Sequence, residues 1–475
     1  MKPFFIYNTL SRSVEEFHPQ HPPGVSLYSC GPTVYLPQHL GNLRAYLCWD
    51  FLRRALEFNG YAVRHVMNVT DVGHMTSDED TGEDKIELTA RVEHKTPLEV
   101  ANFYLKQFQD DLAAVHVEPP RVWCRATEHI GAMLDLIARI LAAGMAYVTP
   151  SGVYFDVEKY RGENRKGRLS RQSLDEQNAG QRLEHSADKK SPHDFALWVL
   201  AQPHHMMQWP SPWGPGYPGW HIECSAMSMK YLGETIDIHT GGMDHIPIHH
   251  ENEIAQSESA THHPFVKYFV HNAFLTGKEG AKISKSAGKF PLLSDVTALG
   301  IDPLAFRVFC MGAKYRSELA LAEEGLRAAQ TNLDYFREFA RNLPADAVSA
   351  SADADFTLEY QTRFHDAINN DLNTPQALAV ALDLMAESYR RGERRVWKTL
   401  RAFDRVLGLA LEETRAAAAN AEIAPEIQAL IDARAAARKA RDFKRADQLR
   451  AELEARGYEV KDNRDGSALY QLRRG

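Results

Sequence analysis

The sequence predicts an α/β protein in which a parallel-sheet domain is interrupted by an insertion and followed by a mainly α-helical region. Strand-like and helix-like segments alternate through the first third of the 475 residues. The alternation stops across residues 125–215 and resumes near residue 236, whereas helical spacing dominates from about residue 315. Alternating strands and helices are typical of a parallel sheet, because each helix carries the chain back to the start of the next strand.

The first strand–helix–strand unit lies in the N-terminal part of the chain. Residues 25–31 (VSLYSCG) read as a strand that ends in a Gly-Pro turn, and residues 42–60 have helical apolar spacing before a glycine stop. Residues 61–73 read as a second strand that leads into a loop, and residues 96–117 read as a further helix. This order of elements predicts a βαβ unit.

The predicted insertion has a different character. Residues 126–148 have the spacing of one helix, and residues 160–194 are highly charged with almost no apolar periodicity. The stretch 209–224 is dense in Gly, Pro and Trp, which suits a shaped loop beside a site. Residues 236–244 then read as a strand that ends in a glycine turn. We therefore expect a loop-rich subdomain inserted into the α/β domain.

The C-terminal region reads as helices separated by a polar spacer. Residues 321–343 and 372–392 have helical spacing, and residues 343–355 form the spacer. The last fifty residues carry a cluster of basic side chains within a helical stretch, namely Arg434, Arg438, Lys439, Arg441, Lys444, Arg445 and Arg450. Such a local basic surface suits a phosphate-rich partner.

The bulk composition narrows the class of protein. Hydrophobic residues make up 44% of the chain and the formal net charge is −8, so nucleic acid would have to bind local basic patches. The five cysteines are widely spaced and odd in number, which favours free thiols in a reducing compartment. No apolar run is long enough to span a bilayer, and the N-terminus lacks a signal-peptide pattern. We expect a cytoplasmic protein with no membrane contact.

Two short motifs are candidates for binding phosphate. His39 and Gly41 lie where a turn becomes a helix, and a helix N-terminus offers unpaired N–H groups and a positive dipole end. Residues 278–289 (KEGAKISKSAGK) form a basic loop that could neutralise a triphosphate, although the spacing is not that of a P-loop. Each motif alone is equally compatible with a capped helix or an exposed charged turn.

A possible metal set centres on residues 249–253 (HHENE). His249 and His250 both share a helical face with Glu253, at four and three residues apart, so the spacing does not choose between them. A zinc site needs three or four protein ligands, and Cys30 and Cys224 could supply the others. Buried cysteines are more often small apolar residues than ligands, so spacing alone leaves this site open.

Several motifs together carry a family resemblance. HLGN (residues 39–42) and KISKS (residues 282–286) resemble the HIGH and KMSKS signatures of class I aminoacyl-tRNA synthetases. CGPTVY, GWHIECSAM, HHENEIAQSE and NDLNTPQAL are similar to motifs of the cysteinyl-tRNA synthetase family, in the same order. The similarity runs from near residue 25 to near residue 466 and so covers almost the whole chain.

The resemblance implies one Zn²⁺ per chain, with four ligands. They correspond to Cys30, Cys224, His249 and Glu253 in this sequence. Zinc binds thiolate and lowers the pKa of a thiol, whereas the serine hydroxyl is a harder and far less acidic ligand. The resemblance thus implies that the metal selects L-cysteine over serine without an editing step.

It also implies activation of L-cysteine by ATP with Mg²⁺ and transfer to the 3′ end of tRNA(Cys), with a monomer expected. The ATP-binding and catalytic positions correspond to His39, Gly41, Asn42, Lys282 and Lys285. The substrate or adenylate pocket would be lined by Thr70, Trp220, His239 and Asp244.

For the fold, the resemblance implies a Rossmann-like catalytic domain and a helical anticodon-binding bundle. The expected divisions are 1–124 (first catalytic half), 125–215 (connective insertion), 216–275 (second half), 276–320 (KMSKS and stem-contact region) and 321–475 (anticodon-binding domain).

The sequence departs from the family pattern at a few positions. Asn42 replaces the second histidine of HIGH, although asparagine also donates hydrogen bonds, and Ile283 replaces methionine. Leu469 and Tyr470 stand where the family usually has a tryptophan, which bears on how the anticodon is read.

Three other functions compete with this interpretation. A related ligase that joins cysteine to an amino-sugar would share the zinc site but lack the long helical C-terminal extension. A zinc hydrolase would use His249, His250 and a glutamate, but HHENE is not the H-E-x-x-H motif of zinc proteases. A non-catalytic relative would bind tRNA without charging it, and the presence of Cys30, Cys224, His39 and Lys285 argues against that.

Overall fold

The computed structural model divides the chain into two compact units, Met1–Leu411 and Glu412–Gly475. The residues that it describes are 2–72, 85–162, 167–173, 188–201, 205–277, 291–420, 425–462 and 468–472. No helix in these ranges is long and apolar enough to cross a membrane.

A five-stranded parallel sheet forms the centre of the first unit. Its strands lie in the order β11-β10-β3-β4-β5, and each neighbouring pair is parallel. These strands are β3 Gly24–Ser29, β4 Ala62–Val69, β5 Val122–Arg125, β10 Ile236–Gly242 and β11 Val266–Asn272. The prediction of an α/β fold with a parallel sheet is confirmed.

Helix α1 (Leu40–Phe58) makes the crossover from β3 to β4. Its N-cap is His39, whose side chain accepts a hydrogen bond from the backbone N–H of Asn42, and its C-cap is Asn59. Thirteen of its nineteen residues are buried, and Leu43, Leu47 and Phe51 belong to the main hydrophobic core. This burial explains the dense apolar spacing of the segment and fixes the start of α1 at the carboxyl edge of the sheet.

The order in which strands are added to the sheet reverses between β3 and β10. From β3 the first half of the chain adds β4 and β5 on one side, whereas β10 and β11 extend the sheet on the other side. In parallel α/β sheets, ligands bind in the crevice at the carboxyl ends of the strands where the order reverses. Cys30, which follows β3, and the turn after β10 therefore lie at this switch point.

The region predicted as an insertion, 125–215, contains three strands of an antiparallel sheet whose fourth strand follows directly after it, and this sheet was not predicted from the sequence. Four strands pair in the order β6-β7-β8-β9. They are β6 Ala146–Thr149, β7 Gly152–Phe155, β8 Phe195–Leu200 and β9 Gly216–Pro218. The single helix predicted over residues 126–148 is also wrong, because α4 (Ile130–Ala142) follows a short 3-10 turn and ends before Gly144, whose φ is +71°.

The remaining described elements of the first unit are mainly helical. Its strands also include β1 Phe5–Asn8, β2 Ser13–Glu16, β12 Leu275–Thr276 and β13 Leu319–Ala320. Its helices also include α2 Lys85–Glu93, α3 Pro97–Ala114, α5 Val157–Gly162, α6 Trp220–Leu232, α7 His249–Thr261, α8 Leu293–Ala298, α9 Pro303–Met311, α10 Glu323–Arg341, α11 Ala345–Ser349, α12 Thr357–Asn369, α13 Thr374–Arg391 and α14 Trp397–Leu407. Helices α10 and α13 confirm the predicted helical region, while α11 lies within the stretch predicted as a polar spacer.

The second unit is small and has its own core. Helix α15 (Leu411–Asn420) begins at the boundary, and α16 (Pro425–Lys439) packs against α17 (Phe443–Ala455). An antiparallel hairpin follows, with strands β14 Tyr458–Asp462 and β15 Ala468–Leu472. Its buried apolar cluster is Ile427, Leu453 and Val460. The hairpin was not predicted from the sequence.

Candidate active site

The structure brings the four predicted metal ligands together at the switch point of the sheet. Cys30 follows β3, Cys224 lies on α6, and His249 and Glu253 lie one turn apart on α7. All four side chains are buried, and their ligand atoms lie within 4.8 Å of one another. A tetrahedral zinc ion separates its ligand atoms by roughly 3.3–3.8 Å, so this set needs only small adjustments to enclose one.

A second metal-compatible set overlaps the first. Cys30, His239, His250 and Glu253 also have their ligand atoms within 4.8 Å of one another. His250 is tied to other groups, because its Nδ1 lies 2.8 Å from His271 Nε2 and its Nε2 lies 3.4 Å from Cys30 Sγ. The described site therefore holds a cluster of histidines around a shared cysteine and glutamate.

Glu253 is the carboxylate that joins these histidines. Its Oε1 lies 3.0 Å from His249 Nε2, and its Oε2 lies 3.0 Å from His239 Nε2. Burial would raise the pKa of Glu253, but the neighbouring His239 and His249 outweigh burial and hold that pKa well below its ordinary value. Burial would likewise lower the pKa of His249, yet Glu253 and Cys224 raise it to about 10. The pair therefore favours an ionised carboxylate.

The two cysteines have opposite electrostatic environments. A hydrogen bond from Cys30 lowers the pKa of Cys224 to about 6, although burial opposes the shift. Burial raises the pKa of Cys30 well above its ordinary value, and the hydrogen bond to Cys224 adds to that effect. One sulfur thus has thiolate character before any cation binds, which is the form that ligates metals.

Other histidines in the cluster were not predicted as site residues. His221 Nδ1 lies 2.9 Å from His249 Nδ1, and the ring of His245 lies 5.1 Å from the ring of His249. His271, at the end of β11, bonds both His250 and the Thr9 hydroxyl, the latter at 2.8 Å. The sequence offered one signal for His221, which lies one helical turn before Cys224 in GWHIEC.

The HLGN residues form the start of α1. His39 is the N-cap, and its Nδ1 accepts a hydrogen bond of 3.3 Å from the backbone N–H of Asn42. Gly41 faces the same imidazole, because a Cβ there would lie 2.9 Å from His39 Cε1. The glycine therefore leaves room for the histidine at the helix N-terminus, next to the carboxyl edge of the sheet.

The four predicted pocket residues differ in their burial and in the groups that they contact. The Thr70 hydroxyl donates to Glu223 Oε2 at 2.8 Å, and the Trp220 ring lies 4.7 Å from the His249 ring. His239 is fully buried and contacts Glu253. Asp244 is exposed in the 3-10 turn after β10 and lies close to Gly242.

Lys282 and Lys285, the two predicted catalytic lysines, lie outside the described residues, as does Ile283. Strand β12 leads towards their segment and pairs with β13 beyond it, with Leu275 opposite Leu319.

Comparisons with known proteins agree with the fold. The chain is similar to the crystal structure of Mycobacterium tuberculosis methionyl-tRNA synthetase bound by methionyl-adenylate, with a TM-score of 0.58, 14% identity and coverage of 89% of this chain and 96% of that chain. It is also similar to Agrobacterium radiobacter K84 agnB2 LeuRS in a ternary complex with tRNA and LeuAMS, with a TM-score of 0.57, 11% identity and coverage of 86% of each chain.

Three sequence profiles match successive parts of the chain. Residues 16–331 match the tRNA synthetases class I (C) catalytic domain. Residues 363–412 match the DALR domain, and residues 420–468 match the Cysteinyl-tRNA ligase anticodon binding domain.

Curated relatives match over nearly their whole length. Cysteine–tRNA ligase 1 of Burkholderia lata is 43% identical over 100% of this chain and 98% of its own. Cysteine–tRNA ligase of Treponema denticola is 41% identical over 96% of this chain and 97% of its own.

The parallel sheet, the site at its switch point and the catalytic-domain match define a class I aminoacyl-tRNA synthetase. Within that class, the identity to curated relatives extends over the full chain and includes the C-terminal domain. The chain belongs to the cysteine–tRNA ligase family.

Proposed function

We propose that this protein activates L-cysteine with ATP and Mg²⁺ to cysteinyl-adenylate and transfers the cysteinyl group to the 3′ end of tRNA(Cys). The observation that carries the proposal is the buried set of Cys30, Cys224, His249 and Glu253 at the switch point of a class I sheet. The profile match of residues 420–468 supports tRNA as the acceptor, and it disfavours an amino-sugar acceptor.

The donor set suits zinc. Two soft thiolates, one imidazole and one hard carboxylate form a mixed donor set, which the borderline-soft zinc ion accepts and Mg²⁺ does not favour. When bound, zinc would supply a Lewis-acid position that binds the substrate thiol as a thiolate. Glu253 keeps His249 oriented by their 3.0 Å contact, and Trp220 packs against the same imidazole. Thiolate binding at this position would favour cysteine over serine at the first binding step.

The N-terminus of α1 would bind the phosphates of ATP. His39 is the N-cap, where an imidazole N–H and the helix dipole can stabilise phosphate oxygens. Gly41 would let the adenine approach the backbone, and Asn42 would donate hydrogen bonds in place of the family's second histidine. Lys282 and Lys285 would neutralise the charge that develops as the cysteine carboxylate attacks the α-phosphate.

The exposed basic side chains of α16 and α17 would bind the anticodon region of tRNA, whereas Arg434 of the predicted basic cluster is buried. Lys439, Arg441, Lys444 and Arg445 are exposed. We also propose a monomeric protein in the cytoplasm, where the five buried thiols would stay reduced.

Charging of tRNA(Cys) with cysteine and with serine, before and after chelation, tests the proposal. We expect cysteine to be charged, serine to be rejected, and activity to fall as the bound zinc, measured by atomic absorption, is removed. Restoring zinc should restore charging, whereas Mg²⁺ alone should not. Cysteine charging that persists in fully zinc-free protein would overturn the metal mechanism, and absence of charging in zinc-replete protein would overturn the ligase.

A further inference from the structure

Arg44 is a fully buried arginine on α1, five residues after the N-cap His39, and the proposed mechanism does not use it. In the part of the chain that the structure describes, its hydrogen bonds go to backbone carbonyls and not to a carboxylate. Burying a cation without an anion costs free energy, so an apolar residue would fill this space at a lower cost. The hydrogen bonds of Arg44 therefore need an explanation beyond packing.

The carbonyls that Arg44 contacts flank a pair of short strands. Its Nη1 donates to the carbonyl of Ala273 at 3.0 Å and to the carbonyl of Phe274, which both lie between β11 and β12. Its Nη2 donates at 2.5 Å to the carbonyl of Ser317, two residues before β13. Because β12 and β13 pair with each other, the guanidinium group holds the start of both strands against α1.

The first turn of α1 is also joined to the chain that follows β12. The backbone N–H of Leu40, the first residue of α1, donates to the carbonyl of Pro291 at 2.9 Å. In sequence, the KISKS residues 282–286 lie between Thr276, which ends β12, and Pro291, and they are outside the described residues. Both flanks of the KISKS segment are thus attached to residues 40–44 of α1, next to His39.

We propose that Arg44 is a positioning residue for the activation of cysteine, an inference that rests on the proposed function. By holding β12 and β13 against the first turns of α1, it fixes His39 relative to the strand from which the chain enters the KISKS segment. His39 and the two lysines of that segment would act on the same phosphates of ATP, so a shift of α1 against β12 would slow adenylate formation. Displacements of about 1 Å can cost roughly 10²-fold in rate.

Arg44→Lys tests the inference, because lysine keeps the charge but cannot bond three carbonyls in a fixed geometry. The measurement is single-turnover formation of cysteinyl-adenylate by the zinc-loaded protein, with enzyme in excess so that low rates are resolved. We expect the rate constant to fall about 10²-fold, whereas the dissociation constant of cysteine and the zinc content should match the wild type. A near-normal rate, or a parallel loss of cysteine binding, would overturn the inference.

A double-mutant cycle with Lys285→Ala separates positioning from a merely structural role. If Arg44 acts through the KISKS segment, the effect of Arg44→Lys should shrink to less than about 3-fold when Lys285→Ala is also present. The same fold-change with and without Lys285→Ala would overturn the inference and leave the proposed function intact. A zinc-loaded wild type that forms no adenylate from cysteine and ATP would overturn the proposed function itself.

Arg307→Lys is the matched control. Arg307 is an equally buried arginine on α9 that also donates to backbone carbonyls, but these belong to Leu407 and His116. Any effect of its substitution on the rate constant should therefore be the same with and without Lys285→Ala. Equal coupling of both arginines to Lys285 would show that the cycle reports general loosening of the fold, and it would overturn the specific role of Arg44.

Discussion

The absence of a side chain at Gly41 leaves the space that the His39 imidazole occupies. A Cβ at position 41 would meet the imidazole at 2.9 Å from Cε1 and 3.0 Å from Nδ1. These distances are too short for carbon and nitrogen atoms that are not bonded, so the ring would have to move away from the N-cap position. A glycine is otherwise unfavourable in a helix, by roughly 0.5–1 kcal/mol relative to alanine.

We expect Gly41→Ala to lower the kcat/KM of cysteine-dependent ATP–pyrophosphate exchange by about 10²-fold, because small displacements of catalytic groups have effects of that size. The melting temperature should not fall, since alanine favours the helix. Gly131→Ala on α4 is the control, because no atom lies within 4 Å of the added Cβ. Normal exchange by Gly41→Ala would show that the position of His39 is unimportant for activation.

At the residue scale, spacing predicted only part of the site. The pairing of His249 or His250 with Glu253 followed from helical periodicity, but both histidines proved to lie close to Glu253. Cys30 and Cys224 could be joined to that pair only through the family resemblance, because spacing cannot pair ligands from distant segments. His271 and Thr9 escaped prediction for the same reason, since they meet only through the folded sheet.

Three elements of the first unit are held together by a buried ion cluster. Asp50 on α1 accepts hydrogen bonds from Arg307 Nη2 on α9 at 2.6 Å and from Arg54 Nε at 2.7 Å. Arg307 also donates to the backbone carbonyl of Leu407 on α14. Burial would raise the pKa of Asp50, but the two guanidinium groups outweigh burial and lower it. The helix that begins at His39 is therefore fixed to the helical region.

Asp50→Asn should destabilise the protein by about 3 kcal/mol, because it leaves the fully buried guanidinium group of Arg307 without its anion, whereas Arg54 still pairs with Glu118. Urea denaturation followed by tryptophan fluorescence would measure the change. Glu57→Gln is the control, since the Arg53–Glu57 pair on the same helix is partly exposed and should contribute less than about 1 kcal/mol. Equal, small effects of both substitutions would contradict a structural role for the buried cluster.

The pairing of β3 with β4 includes a histidine that should make stability depend on pH. His65 on β4 lies 2.9 Å from the Ser29 hydroxyl on β3, and burial lowers the pKa of His65 to about 3, with a further contribution from Arg53. Below pH 6.5 the unfolded chain binds a proton at this position that the folded chain does not. The free energy of unfolding should therefore fall by up to about 1.4 kcal/mol per pH unit as the pH drops from 6.5.

His65→Asn removes this titration. Urea midpoints of the wild type and the variant, compared between pH 7.5 and pH 5, should converge as the pH falls. The other buried histidines titrate in both proteins and cancel in the difference. Parallel curves over this range would show that His65 does not contribute.

At the element scale, β3, β4 and β10 of the central sheet were predictable because each is a mainly buried, apolar strand that ends in a turn or loop. The two outer strands, β5 and β11, were not predicted. The antiparallel sheet of the insertion was not predicted either, because β7 and β8 pair across about forty residues that carry little periodicity. The end of α4 was missed because the apolar pattern continues into β6, and only the positive φ of Gly144 separates the two elements. The hairpin of β14 and β15 was not predicted because each strand is only five residues long and follows a stretch dominated by helical spacing.

The charge of the whole molecule is unevenly distributed along the chain. The total is −8, yet residues 412–475 contain thirteen basic and twelve acidic residues and so carry a small positive charge. Six of the thirteen basic residues lie on α16 and α17, the helices matched by the anticodon-binding profile, and Arg441 lies between these helices. Association with tRNA should therefore depend on this region and on salt, in spite of the negative total.

Replacing Lys439 and Lys444 together by glutamine should weaken tRNA binding, because fewer phosphates are neutralised. The slope of log K against log salt should fall by up to about 0.7–0.9 for each phosphate that no longer has a lysine partner. Cysteine-dependent ATP–pyrophosphate exchange without tRNA should be unchanged. The control replaces two exposed lysines of the first unit, Lys106 and Lys159, in the same way. Equal salt slopes for the two double variants would exclude α16 and α17 as the main phosphate-binding surface.

The domain boundaries predicted from the sequence stay predictions at this scale. The compact units divide at Leu411, whereas the division implied by the family resemblance starts the helical anticodon-binding region at residue 321. Composition changes near residue 315 because helices replace the β/α alternation. A change of periodicity marks a change in the type of element, but it does not determine which helices pack on the catalytic core.

The pairing of β3 with β10 also sets the timing of site assembly during synthesis. These neighbouring strands join residues as far apart as Leu27 and Ile238. Ribosomes add about 5–20 residues per second, so a nascent chain carries Cys30 for roughly 10–45 s before Glu253 exists. A cation can be enclosed only after the second half of the sheet has docked on the first. Metal content would then measure how many chains in a preparation have completed this late step of folding.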